Sequence, residues 1–355
     1  SYNSPINLSE DYLPFLHSLK ENTVKGKLFV SIEGANTANS EFEFLTGNTL
    51  NFLPYRCVPY NEYIRDATPS MAYNMKAQGY AGVNAFHPYK SSGWSRTIVY
   101  PLLGFNNSYF YEYYKENNNH SPVRNYVSDE ADFQQIIDDF EASKKESGKP
   151  FYLFNVTMQN HGGYDGKRGL IDPKITIEDP ALKTSEAEQY INLAKMSDDA
   201  FKMLVNYFEK IDDPTIIVMF GDHQPPIDNT FYSNQFGKDV EELSTEEKAD
   251  WYSTPYVIWA NYDIEEEELD MSANYLSSYV MKIAGNKLTG YNKFLLQLQK
   301  ELPVISAVCC KDKDGNVYGN DEKSKYSELL ASYQMLQYNQ MFDKDNRVDS
   351  FFFLQ

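Results

Sequence analysis

A chain of 355 residues with 42% hydrophobic and 15% aromatic residues can bury a large core, as one domain or two, and is excluded from the disordered class. Its formal net charge of −19 excludes a nucleic-acid partner, because binding a phosphate backbone needs a basic face, although a metal ion and a few local cations still permit work on a phosphodiester. Three cysteines, Cys57, Cys309 and Cys310, make neither a disulfide framework nor a zinc cluster, and no signal peptide or run of 18 apolar residues is present.

Residues 9–20 predict a short helix with Pro14 in its first turns and His17 as a packing or surface residue. The apolar run Leu28 to Ile32 predicts a strand that stops at a small-residue turn. Gly34 turns the chain, Thr37 sits at or near a helix N-cap, Glu41 and Glu43 place negative charge in the first turns, and Gly47 ends the helix. Such a junction holds a hydroxyl at the mouth of a sheet beside N–H groups that favour phosphate oxygens. Thr37 is therefore a candidate nucleophile, with simple capping as the alternative.

An extended stretch is expected over 52–63 and a helix over 69–78, closed by Gly79. Tyr80 to Phe86 then predicts a strand that delivers His87-Pro88-Tyr89 to its carboxyl end, followed by a loop holding Ser91, Ser92, Gly93, Trp94 and Arg96. Ligands of open α/β sheets gather outside the carboxyl ends of strands, so these residues are placed for substrate. The alternative is that Trp94 packs under the loop and Arg96 makes a structural ion pair. Residues 105–127, rich in Asn and Tyr, read as a surface insertion with an exposed His120.

Phe133, Ile136, Ile137 and Phe140 recur at helical spacing within 129–147 and predict an amphipathic helix. Phe151 to Val156 predicts a buried strand whose following loop carries His161 between glycine and asparagine neighbours. A long helix is expected over 184–211, then a fully apolar strand, Thr215 to Phe220, that ends in Gly221-Asp222-His223. Carboxylate and imidazole side by side suit a divalent transition metal, manganese or zinc. An acidic, mobile section is expected over 236–250, a strand over 254–260, helices over 271–284, 289–300 and 323–338, and a hairpin around Asp314-Gly315. The acidic run Glu265 to Glu268 reads as a solvated face rather than a calcium site. Alternating strands and helices predict an α/β fold with a parallel sheet covered on both faces.

Four stretches carry a resemblance: Gly34 to Gly47 around Thr37, His87-Pro88-Tyr89 with Gly93-Trp94-Ser95-Arg96, Asn155 to His161, and Phe220-Gly221-Asp222-His223. In this order they resemble the extracellular catalytic domain of the lipoteichoic acid synthase and phosphoglycerol transferase family, within the alkaline phosphatase and sulfatase superfamily. The resemblance covers residues 9–262. It implies a mostly parallel central sheet flanked by helices, with 1–262 as the catalytic core and 263–355 as a smaller C-terminal subdomain of helices and a hairpin completing the same domain.

What the resemblance implies for the site is a metal-dependent phosphoglycerol transferase. Thr37 would be nucleophile and metal ligand, Asp222 and His223 further ligands, and manganese the ion, with magnesium or zinc as alternatives. His87, Trp94, Arg96 and His161 would bind substrate, Trp94 and Arg96 holding the phosphoglycerol headgroup and His161 donating to the departing oxygen or to phosphate. The expected donor is a phosphatidylglycerol-type lipid, and the expected acceptor a cell-envelope glycan or teichoic polymer. A phosphodiesterase of the same superfamily and a non-catalytic polymer-binding module are the alternatives.

Members of that family carry N-terminal membrane spans. The chain is therefore expected to be a soluble portion working at the extracellular face of a bacterial membrane, or released from it. The family also has a metal-binding glutamate on a strand that this sequence does not contain; Glu33 is the nearby carboxylate, at a position that looks apolar in relatives. An uncovered sheet edge is expected where that strand would lie.

Overall fold

The computed structural model describes residues 6–354. Its strands, in chain order, are β1 (Thr23–Phe29), β2 (Ala81–Phe86), β3 (Asn107–Tyr109), β4 (Pro122–Val123), β5 (Tyr126–Val127), β6 (Phe151–Asn155), β7 (Ile216–Phe220), β8 (Ser253–Ala260), β9 (Glu267–Glu268), β10 (Met271–Ser272), β11 (Val304–Ile305), β12 (Cys310–Lys311) and β13 (Val317–Tyr318). Two sheets form the central layer, one ordered β10-β1-β8-β7 with β9 also on β1, the other β3-β2-β6. Every ladder in that layer is parallel except those of β8, which runs antiparallel between β1 and β7. The mostly parallel α/β sheet expected from the alternation is present, with β8 as its reversed member.

Where the layer divides is informative. β6 and β7 are both edge strands. The Phe44 ring lies against Phe154 of β6 and Phe220 of β7, with centroids 5.7 and 5.0 Å away, so the two edges run under one helix. On that face Tyr152, Phe154, Val218 and Phe220 join one core cluster; on the other, Phe151, Ile217 and Met219 join another. The sheets are thus halves of one layer with a seam between them. All five residues of the apolar strand Ile216–Phe220 stay half-exposed, unusual for a strand of that composition.

Helices cover both faces. Thr37–Thr46 and Ala273–Ile283 pack on one side. On the other, Asp129–Ser147 contributes Phe133, Ile137 and Phe140 and Ser185–Phe208 contributes Phe201, Leu204 and Phe208, the stripe predicted by helical spacing. Both helices start at a side-chain cap, Ser128 accepting from the Ala131 N–H and Thr184 from the Ala187 N–H. Tyr275, Leu276, Leu295 and Tyr333 of the C-terminal helices share a core with Val30 and Phe42. The expected hairpin turns at Gly315, where φ is +87°. Among the described residues no helix is long and apolar enough to cross a membrane.

Three expectations are corrected. Residues 52–63 are not extended: Pro59, fitted to a first helical position, opens the short helix Pro59–Glu62. Residues 236–250 fold into Val240–Glu242 and Thr245–Trp251, the latter opened by a Ser244/Glu247 capping box and anchored by buried Trp251. Residues 105–127 are no simple insertion, since β3 extends the sheet on β2 and β4–β5 form a hairpin; His120 is half-buried, with Nδ1 lacking a partner.

Candidate functional site

The turn after β1 is built from two left-handed residues, Gly34 at φ +66° and Asn36 at φ +67°, and the helix begins at Thr37. Asn36 takes the N-cap position expected for Thr37 or a close neighbour, which frees the Thr37 hydroxyl. That hydroxyl donates to Asp222 Oδ2 at 2.6 Å. Ser40, one turn on, donates to the Asp222 carbonyl at 2.6 Å, and the Gly34 N–H donates to the Gln224 carbonyl at 3.1 Å. The loop after β7 and the turn after β1 are therefore stitched together, 185 residues apart in sequence.

His223 Nε2 lies 3.1 Å from Asp222 Oδ2, and its Nδ1 lies 2.7 Å from the Gln224 carbonyl. The imidazole satisfies both contacts either as an imidazolium donating from both nitrogens or as the Nδ1–H tautomer, whose Nε2 lone pair then shares a cation with the carboxylate. Asp222 Oδ2, His223 Nε2 and Thr37 Oγ1 thus converge as oxygen and nitrogen donors of the kind a divalent transition metal takes. Among the described residues no three His, Cys, Asp or Glu side chains gather to hold a metal, so the set is right in kind and short by a strong ligand. Glu33 is half-buried within electrostatic reach of His223; burial raises its pKa, and His223 opposes the rise.

Every residue from Ala38 to Thr46 is buried, so Glu41 and Glu43 do not simply decorate the helix start. Buried carboxylates need partners. Glu41 meets the Arg96 guanidinium through Nε and Nη2 and accepts from the Tyr100 hydroxyl at 2.9 Å. Arg96 is 2% exposed, and its Nη1 faces His87 Nε2 at 3.3 Å. His87 Nδ1 lies 2.9 Å from the Val156 carbonyl, and burial, with the Arg96 charge adding, pushes the ring's pKa down to about 3. His87 is therefore neutral, holding Arg96 from behind. The structural ion pair weighed for Arg96 is the contact present, and Glu41 is a site residue that motif reasoning missed. Its clue was a carboxylate one turn after the candidate nucleophile in an otherwise nearly uncharged helix.

Trp94 and Ser95 both adopt φ +55°, two consecutive non-glycine residues in the left-handed region. Strain of this sort persists where surrounding structure enforces it, and here Trp94 packs on the core while Ser95 donates to the Asn61 side chain at 3.0 Å. His161 is exposed, with Nδ1 3.2 Å from the Tyr126 hydroxyl, and burial of its surroundings lowers its pKa. Asp222, His223 and Arg168 all act on it electrostatically. The structure thus gathers Thr37, Asp222, His223 and His161 about one mouth, with Arg96 and His87 as buried neighbours of the same helix start.

Glu43 makes a pH prediction. Its carboxyl accepts from Ser31 Oγ at 2.7 Å and from the Leu50 N–H at 2.8 Å, but burial dominates and raises its pKa from 4.5 to about 7. A carboxyl that binds its proton more tightly in the folded state contributes stability at low pH and loses it as pH rises from the unfolded value through the folded one. Between about pH 4.5 and 7 the Glu43 contribution therefore falls. Glu43→Gln, which keeps the acceptor without the ionisation, is expected to raise the thermal midpoint at pH 8 relative to the parent while leaving it little changed at pH 4.5. A parallel pH dependence of the two proteins would remove Glu43 as the source.

A family model for sulfatases matches residues 5–286. A putative cyclic beta-1,2-glucan modification protein of Rhizobium meliloti (strain 1021) is 30% identical over 357 residues, covering 98% of this chain and 53% of that protein. A capsular polysaccharide biosynthesis protein of the same organism, RkpI, is 27% identical over 219 residues, covering 60% of this chain and 37% of that protein. The chain thus spans about half or less of the length of these curated relatives. Among solved structures, the Streptococcus pyogenes phosphoglycerol transferase GacH in complex with sn-glycerol-1-phosphate superposes with TM-score 0.77 at 20% identity, over 99% of this chain and 85% of that one. The lipoteichoic acid synthase LtaP from Listeria monocytogenes gives 0.67 at 17% identity, over 96% and 89%. At these identities the likeness is one of fold.

Proposed function

Because this chain belongs to the sulfatase family, we propose that it is a metal-dependent phosphoglycerol transferase, moving glycerol phosphate from a phosphatidylglycerol-type lipid to a hydroxyl of a cell-envelope glycan. The observation that carries the proposal is the 2.6 Å hydrogen bond from the Thr37 hydroxyl to Asp222 at a strand–helix junction. Two names support the substrates: phosphoglycerol transferase for GacH, and glucan modification protein for the Rhizobium relative. Teichoic polymer is the other acceptor.

Thr37 Oγ attacks the donor phosphorus and gives up its proton, which passes through solvent to the departing oxygen. The bond from phosphorus to the diacylglycerol oxygen breaks, that oxygen takes up the proton released by Thr37, and an N–H of His161 hydrogen-bonds to it or to phosphate. An acceptor hydroxyl then attacks the phosphoglycerol–Thr37 ester and displaces Thr37 Oγ, its proton passing to that oxygen. Diacylglycerol and the glycerophosphorylated acceptor are the products. Asp222, His223 and Thr37 would hold a divalent metal, manganese with magnesium or zinc as alternatives, and that ion supplies charge for the phosphoryl oxygens and a lowered hydroxyl pKa. Work at the extracellular face of a bacterial membrane is part of this proposal, because the donor is a lipid.

Product analysis tests it. With manganese, phosphatidylglycerol and a glucan acceptor, the expected products are diacylglycerol and glycerophosphorylated glucan. Free glycerol phosphate without acceptor modification would replace transferase by phosphodiesterase. Manganese bound as tightly by Asp222→Ala as by the parent, with no cleavage, would favour a binding module instead.

A further inference from the structure

The β4–β5 hairpin belongs to no motif, yet it braces the loop that carries His161. Arg124 Nη2 donates to the carbonyls of Gln159 at 2.8 Å and His161 at 2.6 Å. Its guanidinium lies over the rings of Tyr126 and Tyr164, 5.3 and 5.5 Å from their centroids. It makes no ion pair among the described residues, and its Nε and Nη1 are buried without partners. Arg124 also holds φ +55°, in the left-handed region. A half-buried cation with no acid and a strained backbone is costly, so the surrounding contacts must enforce it. Those contacts converge on residues 159–164: Tyr164 donates to the Asn160 carbonyl at 2.7 Å, and buried Gln159 anchors the loop base to Ser197 and to the Asp129 N–H.

The Tyr126 ring is buried against His161, with centroids 5.5 Å apart, and its hydroxyl reaches Nδ1 at 3.2 Å. An imidazole nitrogen is a better acceptor than a phenol oxygen, and a cation above the ring strengthens the phenol as a donor. We propose that Arg124 and Tyr126 are positioning residues for His161: Arg124 fixes the loop, and the Tyr126 hydroxyl donates to Nδ1, so that the neutral ring carries its proton on Nε2. Nε2–H is then the donor available to the reacting phosphodiester. This rests on the reading of His161 as a contact to the departing or phosphate oxygen; the Gly162 backbone, which hydrogen-bonds the ring and competes for its proton, and Asp222, His223 and Arg168 are the other groups acting on it.

The test has a readout that needs no turnover. Long-range proton–nitrogen spectra of the histidine rings, with His161→Gln to assign the signal, are expected to show His161 protonated on Nε2 in the parent. In Tyr126→Phe, which removes one oxygen and keeps the buried ring, the same spectra are expected to show a mixture of tautomers. Arg124→Ala is expected to speed amide exchange at His161, whose N–H donates to the Met158 carbonyl, by about 10-fold, with Arg124→Lys recovering part of the protection. A parent protonated on Nδ1, or variants whose tautomer and exchange match the parent, would overturn the proposal. Turnover of phosphatidylglycerol separates it from the reading beneath: Tyr126→Phe is expected to lower kcat about 10-fold with KM nearly unchanged. A shifted tautomer with unchanged kcat would support the positioning and remove His161 from the reaction.

Discussion

Thr37→Ala is expected to abolish donor cleavage, lowering kcat by at least about 10³-fold, the scale on which enzymes lose rate with their nucleophile. The hydroxyl occupies the first position of a helix, so alanine there disturbs no buried packing and no cap, the cap position belonging to Asn36. Loss of activity without loss of fold is therefore the expected outcome, read as a cooperative transition whose midpoint falls by no more than a few degrees for the lost Thr37–Asp222 hydrogen bond. Incubation of the parent with phosphatidylglycerol and manganese in the absence of acceptor is expected to add the mass of one glycerophosphoryl group, and Thr37→Ala to add none. Thr37→Ser, which retains the oxygen, is expected to recover part of the rate. Equal cleavage by the parent and Thr37→Ala would place the nucleophile elsewhere.

Glu41→Ala carries the largest expected effect on stability. It leaves the Arg96 guanidinium buried with no acid beside it, facing the neutral His87 and Tyr100, and it removes the carboxylate that accepts from the Tyr100 hydroxyl. Breaking a buried pair by removing one partner costs about 3–5 kcal/mol. At roughly 2–4 °C per kcal/mol for a chain of this class, the thermal midpoint is expected to fall by about 10 °C. The double variant Glu41→Ala, Arg96→Met removes the uncompensated charge and is expected to recover part of that loss. If the double variant is no more stable than Glu41→Ala, the pair is not coupled as the geometry implies. Activity adds a second readout. If Arg96 also clamps phosphate, the double variant regains stability without regaining turnover.

Much of the fold was legible because its causes are local. Helical spacing of Phe133, Ile137 and Phe140, the apolar runs of β6 and β7, and the left-handed Gly47 at the end of the helix that Thr37 begins all express short-range physics. Residues 236–250 misled because charge density outweighed a readable capping box at Ser244 and Glu247. Residues 105–127 misled because Asn and Tyr are compatible with a solvated loop as well as with a short strand completing a sheet.

By itself the sequence determined the alternation of strands and helices, the Thr37 junction and the adjacent Asp222-His223 pair, each set by residues close in the chain. Only the tertiary structure decided which partners those residues meet. Glu41 and Arg96 are 55 residues apart, Thr37 and Asp222 185, and Tyr126 and His161 35. Pairings at such separations depend on how sheet and helices stack, and no local pattern encodes them. The same applies to the seam between β6 and β7, since strand order is a property of the whole sheet and not of either strand.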